Sequence, residues 1–390
     1  MAKHHKILHL DLDAFFCAVE EGRDPALRGK AFAVGGRPDE RGVVASCSYA
    51  ARRFGVRSAM PMSRALKLCP GLLIVSARHR AYGQTSDKVM AVLHDLTPLV
   101  EQISIDEAFL DVSDLPQSAE AIARELQRTI RDQLDLPASL GVATNKLVAK
   151  IATDVGKAAA RTGDYPRAIL AVPPGEEAAF LAPLPAIALW GVGPKTADQL
   201  ARLGLKTIGD IAHWPEADLA RRFGKYGHDL ARHANGIDER TVESFHETKS
   251  ISQETTFARD LADLIALKRT LRELSDQVGG RLRDSSLAGT TVKLKLRWPD
   301  FTTLSRQTTL AQPTDLDDEI YSAVLALFEN EWRPGRAVRL LGVGVSGLGP
   351  PSRQLSLWDD RPEKNHKLLE AVDKLRDKYG DRVVKRGSDL

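Results

Sequence analysis

The chain has 390 residues, of which 43% are hydrophobic and 6% aromatic, with a formal net charge of +3; that length predicts roughly two to four domains, and so small a charge argues for no partner by itself. Cys17, Cys47 and Cys69 are odd in number and lack C-x-x-C spacing, which excludes a zinc ribbon and fits a reducing cytoplasm. No apolar run reaches about 18 residues, so the expectation is a cytoplasmic protein, neither exported nor membrane-spanning.

Ile7-Leu8-His9-Leu10-Asp11-Leu12-Asp13-Ala14-Phe15-Phe16 alternates, which predicts a strand with Asp11 and Asp13 on one face, running into a helix by about residue 20. Gly35-Gly36 and Val43-Val44-Ala45 suggest a hairpin. Tyr49–Phe54 and Pro61–Leu68 read as short helices of a small insertion, after which a helix over Tyr82–Leu96 resumes the main fold. Strands within Val100–Val112 and over Ser139–Ala143 bracket a helix near Ala119–Leu134. This order predicts an α+β sheet of the ferredoxin-like or palm type.

A short-helical unit opens at Leu184-Pro185. Trp190-Gly191-Val192-Gly193-Pro194-Lys195-Thr196-Ala197, then a helix, Leu203-Gly204-Leu205 and a second helix from Thr207, look like a helix-hairpin-helix. There Gly191 and Gly193 let backbone N–H groups approach a phosphate, with Lys195 beside them; a plain helix turn with a glycine cap is the alternative. Arg221, Arg222 and Lys225, beside Gly224 and Gly227, form a second candidate phosphate contact.

Residues 237–249 form a polar connector and read as an interdomain tether. Leu264, Leu267, Leu271, Leu274, Val278 and Leu282 then mark an amphipathic helix. Thr291-Val292-Lys293-Leu294-Lys295-Leu296-Arg297-Trp298 alternates, placing Lys293, Lys295 and Arg297 on one face. Such a face suits a polyphosphate backbone and is equally ordinary on a solvated sheet. Leu304–Leu310, a helix over Leu316–Trp332 and Val338–Val345 complete a small α/β domain, and Leu368–Arg386 reads as a charged helix.

The stretch with most chemistry is Ser104-Ile105-Asp106-Glu107-Ala108-Phe109-Leu110-Asp111, which sets adjacent carboxylates between strand-like apolar residues. They are either a solvated hairpin tip or, with the Asp11 strand alongside, part of an acidic cluster of Asp11, Asp106 and Glu107. Three like charges that close call for a hard cation with oxygen ligands. Mg²⁺ suits few carboxylates plus substrate phosphates, so phosphoryl transfer is the leading reaction class.

From Ile7 to about Leu348 the motifs, in their order, resemble a Y-family DNA polymerase, most closely the bacterial DinB or polymerase IV group. The resemblance implies an α+β multidomain right-hand polymerase: a ferredoxin-like palm (1–21 and 79–167), small fingers (22–78), a helical thumb with the helix-hairpin-helix (168–236), a linker (237–249), an α/β little finger (250–349) and a tail (350–390). It implies a low-fidelity, template-directed enzyme that adds dNTPs to a primer 3′ end and copies past damaged bases. Asp11, Asp106 and Glu107, with the Leu12 carbonyl, would hold two Mg²⁺ ions, and Asp13 would be a supporting acid.

The same resemblance assigns Ser46, Tyr49, Arg52 and Lys157 to the triphosphate, with Phe15 and Ala45 also at the nucleotide. Ala45 would lie over the nascent base pair, and Phe16 would be the steric gate that excludes a 2′-hydroxyl. Proline commonly follows the lysine in the family, whereas this chain has Ala158-Ala159-Ala160. Gly191, Gly193, Lys195, Lys293, Lys295 and Arg297 would contact DNA. Gln354-Leu355-Ser356-Leu357-Trp358 is similar to the bacterial sliding-clamp (beta subunit) binding peptide, with Leu357 and Trp358 as anchors. The expected partners are therefore primer-template DNA, dNTP and the clamp, for a monomer with no membrane association. A nucleotidyl cyclase would share the paired carboxylates but leave the helix-hairpin-helix, basic strand and tail peptide unused. A non-catalytic docking protein of this fold would lack the acids, and all three are present.

Overall fold

The computed structural model describes residues 4–160, 163–245, 247–351, 361–380 and 383–384. The chain divides into two compact units, one made of residues up to 246 apart from 39–41, the other of residues 39–41 and those from 247 onward.

The first unit begins with β1 (Ile7–Leu12) and α1 (Phe15–Arg23), then runs through β2 (Phe32–Gly35), β3 (Val44–Cys47), α2 (Tyr49–Arg52), α3 (Met62–Leu68) and β4 (Leu73–Val75). It continues with α4 (His79–Leu96), β5 (Val100–Gln102), β6 (Glu107–Asp111), α5 (Ala119–Leu134), β7 (Ala138–Ala143), α6 (Lys146–Ala159) and β8 (Ile169–Ala171). Five short helices follow: α7 (Glu177–Leu181), α8 (Pro194–Arg202), α9 (Ile208–Ala212), α10 (Glu216–Phe223) and α11 (Lys225–Ala234).

A five-stranded sheet in the order β5-β6-β1-β7-β8 carries the acidic residues. Every residue of β1 is buried, because the strand is central and covered on both faces. Leu8, Leu10 and Leu12 pack on one side with Val89, Leu93, Ile122 and Ile130 of α4 and α5. On the other side Ile7 and Phe109 meet Leu147, Val148 and Ile151 of α6. Side chains cap the two sheet-covering helices that follow β6 and β7: Ser118 accepts from the Ala121 N–H at the start of α5, and Asn145 from the Val148 N–H at the start of α6. Helix α6 crosses β7 at Gly141, where a Cβ would lie 1.9 Å from the Ala149 carbonyl oxygen. Glycine is what allows so close an approach.

The insertion after α1 folds as a three-stranded sheet, β3-β2-β4, around its own core of Ala33, Val44, Cys47, Met62 and Ala65. Helices α8 to α11 bury Leu200, Leu219 and Leu230 in the same cluster as Leu147 and Ile151 of α6. The segment that reads as a tether is, in its first half, bonded to this unit. Asp238 accepts from the Leu147 N–H at 3.0 Å, and the Glu243 N–H donates to Glu101 Oε2 at 2.9 Å.

The second unit contains β9 (Ser250–Leu261), α12 (Leu264–Asp284), β10 (Ala288–Arg297), β11 (Thr303–Thr314), α13 (Asp317–Glu331), β12 (Val338–Gly349) and α14 (Arg361–Tyr379). Its four strands pair in the order β11-β10-β12-β9. Leu267, Leu271, Val278 and Leu282 of α12 and Ile320, Val324 and Phe328 of α13 cover one face, meeting Val292, Leu294 and Leu296. The alternation of β10 thus holds: its leucines face the helices while Lys293 is exposed and Lys295 and Arg297 are half-buried on the opposite face.

Candidate active site

The antiparallel register of β1 and β6 sets Asp11 opposite Glu107. One residue further, the Leu12 N–H donates to the Asp106 carbonyl at 3.0 Å. Alternation in β1 and the sharp entry into β6 therefore bring three acids, remote in sequence, to one end of the sheet. The chain then turns at Ala14, with a φ of 44°, before α1. Holding a side-chain-bearing residue there costs backbone energy, which is tolerated where the surroundings fix the turn.

Helix α6 lies against these acids and presents Lys150 and Lys157, two turns apart on one face. Lys157 Nζ donates to Asp11 Oδ1 at 2.7 Å and sits 3.2 Å from Asp13 Oδ1. Lys150 Nζ is 3.2 Å from both Glu107 carboxylate oxygens. The Ser104 hydroxyl donates to Asp106 Oδ1 at 2.5 Å and accepts from the Asp106 and Glu107 N–H groups at 3.2 and 3.1 Å. Each acid is thus engaged by a different neighbour, and among the described residues no three His, Cys, Asp or Glu side chains close on a single ion position. Unlike charges in a half-buried site attract, which turns Asp11 and Glu107 toward the helix lysines.

Burial pushes the Asp106 carboxyl above its ordinary pKa against the pull of Ser104, and the Asp11 charge adds to the rise. Burial likewise raises Glu107, partly offset by Lys150. For Lys157 burial acts downward, but Asp11 and Asp13 outweigh it and hold the ammonium above its usual range. The donors at this end of the sheet are hard oxygens, and they already draw two ammonium groups. That chemistry fits a hard divalent cation. Asp13 is fully buried; Ser139 Oγ donates to its two oxygens at 2.9 and 3.0 Å, and the Arg167 N–H to Oδ2 at 3.0 Å. Those bonds give it a structural task.

Other expected site residues gather nearby. The Arg52 guanidinium lies 4.4 Å from the centre of the Tyr49 ring. Burial pushes the Tyr49 phenol up to about 12, with the Asp13 charge adding to the rise. Ser46 is buried beside Cys17, Ala45 is exposed on β3, and Lys157 lies in the last turn of α6, which runs on through Ala158 and Ala159. Phe15 is core, 2% exposed, whereas Phe16 is half-buried and stacks on Tyr82 with ring centroids 4.2 Å apart.

Gly191 adopts a positive φ of 97°, and its carbonyl accepts from Tyr226 Oη at 2.9 Å, while Gly193 caps α8 with Lys195 exposed in the first turn. In the second unit Lys295 pairs with Glu254 at 2.6 Å and Arg297 donates to Thr303 Oγ1 at 2.8 Å, while Lys293 is exposed. Gln354, Leu355, Leu357 and Trp358 lie outside the described residues.

Sequence reasoning missed Ser104, Lys150 and His9. Lys150 was legible as the residue two helical turns before Lys157. His9 was not, since nothing in an alternating strand distinguishes a packed histidine. Its ring is fully buried; Nδ1 is 2.9 Å from Thr153 Oγ1, and Nε2 has no hydrogen-bond partner among the described residues and lies 3.9 Å from Glu107 Oε2. Burial, then Lys150 and Lys157, hold its pKa well below the usual value.

Residues 10–154 match the impB/mucB/samB family and residues 248–357 its C-terminal domain. The chain is 40% identical over 386 residues to a DNA polymerase IV of Dehalococcoides mccartyi, covering 98% of this chain and 97% of that protein. It is 41% identical over 385 residues to one of Desulfatibacillum aliphaticivorans, covering 97% and 95%, and 40% identical over 353 residues to one of Listeria monocytogenes, covering 90% and 97%. A solved Y-family DNA polymerase chimera superposes with a TM-score of 0.78 at 24% identity, covering 89% of this chain and all of that one, which shows the fold. With acids, lysines and sheet arranged as above, and likeness running through both units, the chain belongs to the Y-family of DNA polymerases, in the bacterial polymerase IV group, and is a DNA-directed DNA polymerase.

Proposed function

We propose that this polymerase works by a two-Mg²⁺ nucleotidyl transfer at the β1–β6 end of the palm sheet, with low fidelity, and that it copies past damaged bases. The observation that carries the proposal is the β-register that pairs Asp11 with Glu107 and hydrogen-bonds Leu12 to Asp106. Asp11, Asp106, Glu107 and the Leu12 carbonyl would hold the ions. When bound, these supply charge neutralisation at the α-phosphate and at the pyrophosphate leaving group.

The chain's own residues bind and orient. Tyr49 and Arg52 are one helical turn apart on α2, so both can meet the triphosphate, with Ser46 at the end of β3 and Lys157 from α6. Phe16 would set its ring under the sugar, with Phe15 fixing the turn behind it. Ala45, small and exposed, would leave space over a distorted base pair. The glycines at Gly191 and Gly193, with Lys195, would take one DNA backbone. The outward face of Lys293, Lys295 and Arg297 would take phosphates elsewhere on the duplex.

The palm, fingers, thumb, linker and little finger would follow the boundaries expected from the sequence. Gln354–Trp358 would recruit the sliding clamp to a monomeric, cytoplasmic enzyme.

The test is primer extension on undamaged and lesion-bearing templates with Mg²⁺, beside Asp106→Ala and Phe16→Ala. The expected result is extension past some lesions by the wild type, none by Asp106→Ala, and ribonucleotide incorporation by Phe16→Ala. Wild-type arrest at every lesion would remove the translesion reading, and unchanged sugar choice would remove the gate.

A further inference from the structure

Behind Phe16 lies a feature that the polymerase chemistry does not use. Phe16 and Glu20 are one helical turn apart on α1 and so share a face. The Phe16 ring stacks in parallel on Tyr82 of α4, 12° between planes, and His79 meets both rings edge-on with centroids at 6.2 and 6.1 Å. Tyr82 is fully buried, and its phenol donates to Glu20 Oε1 at 2.7 Å. Glu20 is itself fully buried, and its other oxygen takes the guanidinium of Arg78, a side chain that is 52% exposed.

A carboxylate in an aromatic pocket with a half-exposed counter-ion is an expensive way to fill space. A residue needed only for packing would be apolar there. What the carboxylate does provide is a directional acceptor that fixes where the Tyr82 ring sits. A steric gate discriminates only if the ring that meets a 2′-hydroxyl cannot recede, and Phe16 recedes only if Tyr82 moves.

We infer that Glu20 is a positioning residue for sugar selection, acting through the Tyr82 hydroxyl on the ring of Phe16. The inference rests on the reading of Phe16 as the gate. Arg78 completes the unit by pairing with the second Glu20 oxygen and so holding the carboxylate's orientation.

The test measures kcat and KM for one dNTP and the matching rNTP with wild type, Phe16→Ala, Tyr82→Phe, Glu20→Leu and Glu20→Gln. Tyr82→Phe keeps the stacked ring and removes only the bond to Glu20. It should lower discrimination roughly tenfold, through a lower KM for the ribonucleotide. Glu20→Leu should do the same, while Glu20→Gln, whose amide oxygen still accepts from the phenol, should restore most of the selectivity. If Glu20→Leu does not fold, Tyr82→Phe decides alone. Wild-type discrimination in Tyr82→Phe, with Phe16→Ala admitting ribonucleotides, overturns the inference and leaves the gate standing. Unchanged discrimination in Phe16→Ala itself overturns both. Equal losses for the two sugars would also overturn it, since they mark a role in folding alone.

Discussion

Replacing Gly141 by alanine tests whether the helix that carries the lysines is seated as tightly as its contacts imply. The added Cβ would stand 1.9 Å from the Ala149 carbonyl oxygen, 2.6 Å from the Thr153 nitrogen and 2.7 Å from its hydroxyl. All are backbone atoms or a short side chain of α6, so no flexible group can yield. To reach ordinary contact the helix must lift by about 1.5 Å, and overpacking of that kind costs about 1–3 kcal/mol or somewhat more. For a unit of this size that corresponds to a melting temperature lower by roughly 2–12 °C. The same lift draws Lys157 away from Asp11, now 2.7 Å apart, and Lys150 from Glu107. Misplacement by an ångström costs about a hundredfold in rate. Thermal denaturation and single-turnover primer extension read the two effects. Gly83→Ala serves as the opposite-signed control: it lies in α4 and, its own stretch of helix aside, no atom of the described residues comes within 4 Å of a new Cβ, so it should gain about 0.5–1 kcal/mol. A Gly141→Ala protein that melts and extends like wild type would refute the reasoning.

Ser104→Ala removes the hydroxyl that holds the Asp106 carboxylate at 2.5 Å, and extension should fall about 10–100-fold with DNA affinity unchanged; a rate equal to wild type would show that the hydroxyl only shapes the turn. Asp238 offers a pH test. Burial raises its pKa, but the bonds from Arg240 outweigh that and hold it below the ordinary carboxylate range. Its folded-state value being the lower one, its contribution is complete above about pH 4 and is lost as the pH falls through the folded value. Asp238→Asn should therefore lower stability by about 1–3 kcal/mol at neutral pH, with the difference from wild type narrowing as the pH falls below about 4 in urea titrations. A difference constant with pH would contradict it.

Much of the site was legible because strands and helices repeat. Period-two alternation placed Asp11 on a strand and Lys293, Lys295 and Arg297 on one face; the helix over Ala119–Leu134 matches in both bounds. What sequence alone could not supply was the register, since Asp11 meeting Glu107 depends on how β1 and β6 slide. Strand β4 was missed because Leu73–Val75 is short and mostly exposed. The first half of the polar 237–249 segment hides a docked stretch, because its anchors are a helix N–H and a glutamate remote in sequence. The stack of Tyr82 on Phe16 likewise joins helices with no shared periodicity.

The central claim is that Asp11, Asp106 and Glu107 jointly carry the chemistry. The most direct measurement is the single-turnover rate of Asp106→Asn at saturating primer-template, dNTP and Mg²⁺. The substitution keeps the side chain's size and its contact with Ser104 while removing the charge. The account predicts a rate lower by about a hundredfold or more with DNA affinity retained; a rate within a fewfold of wild type would contradict it.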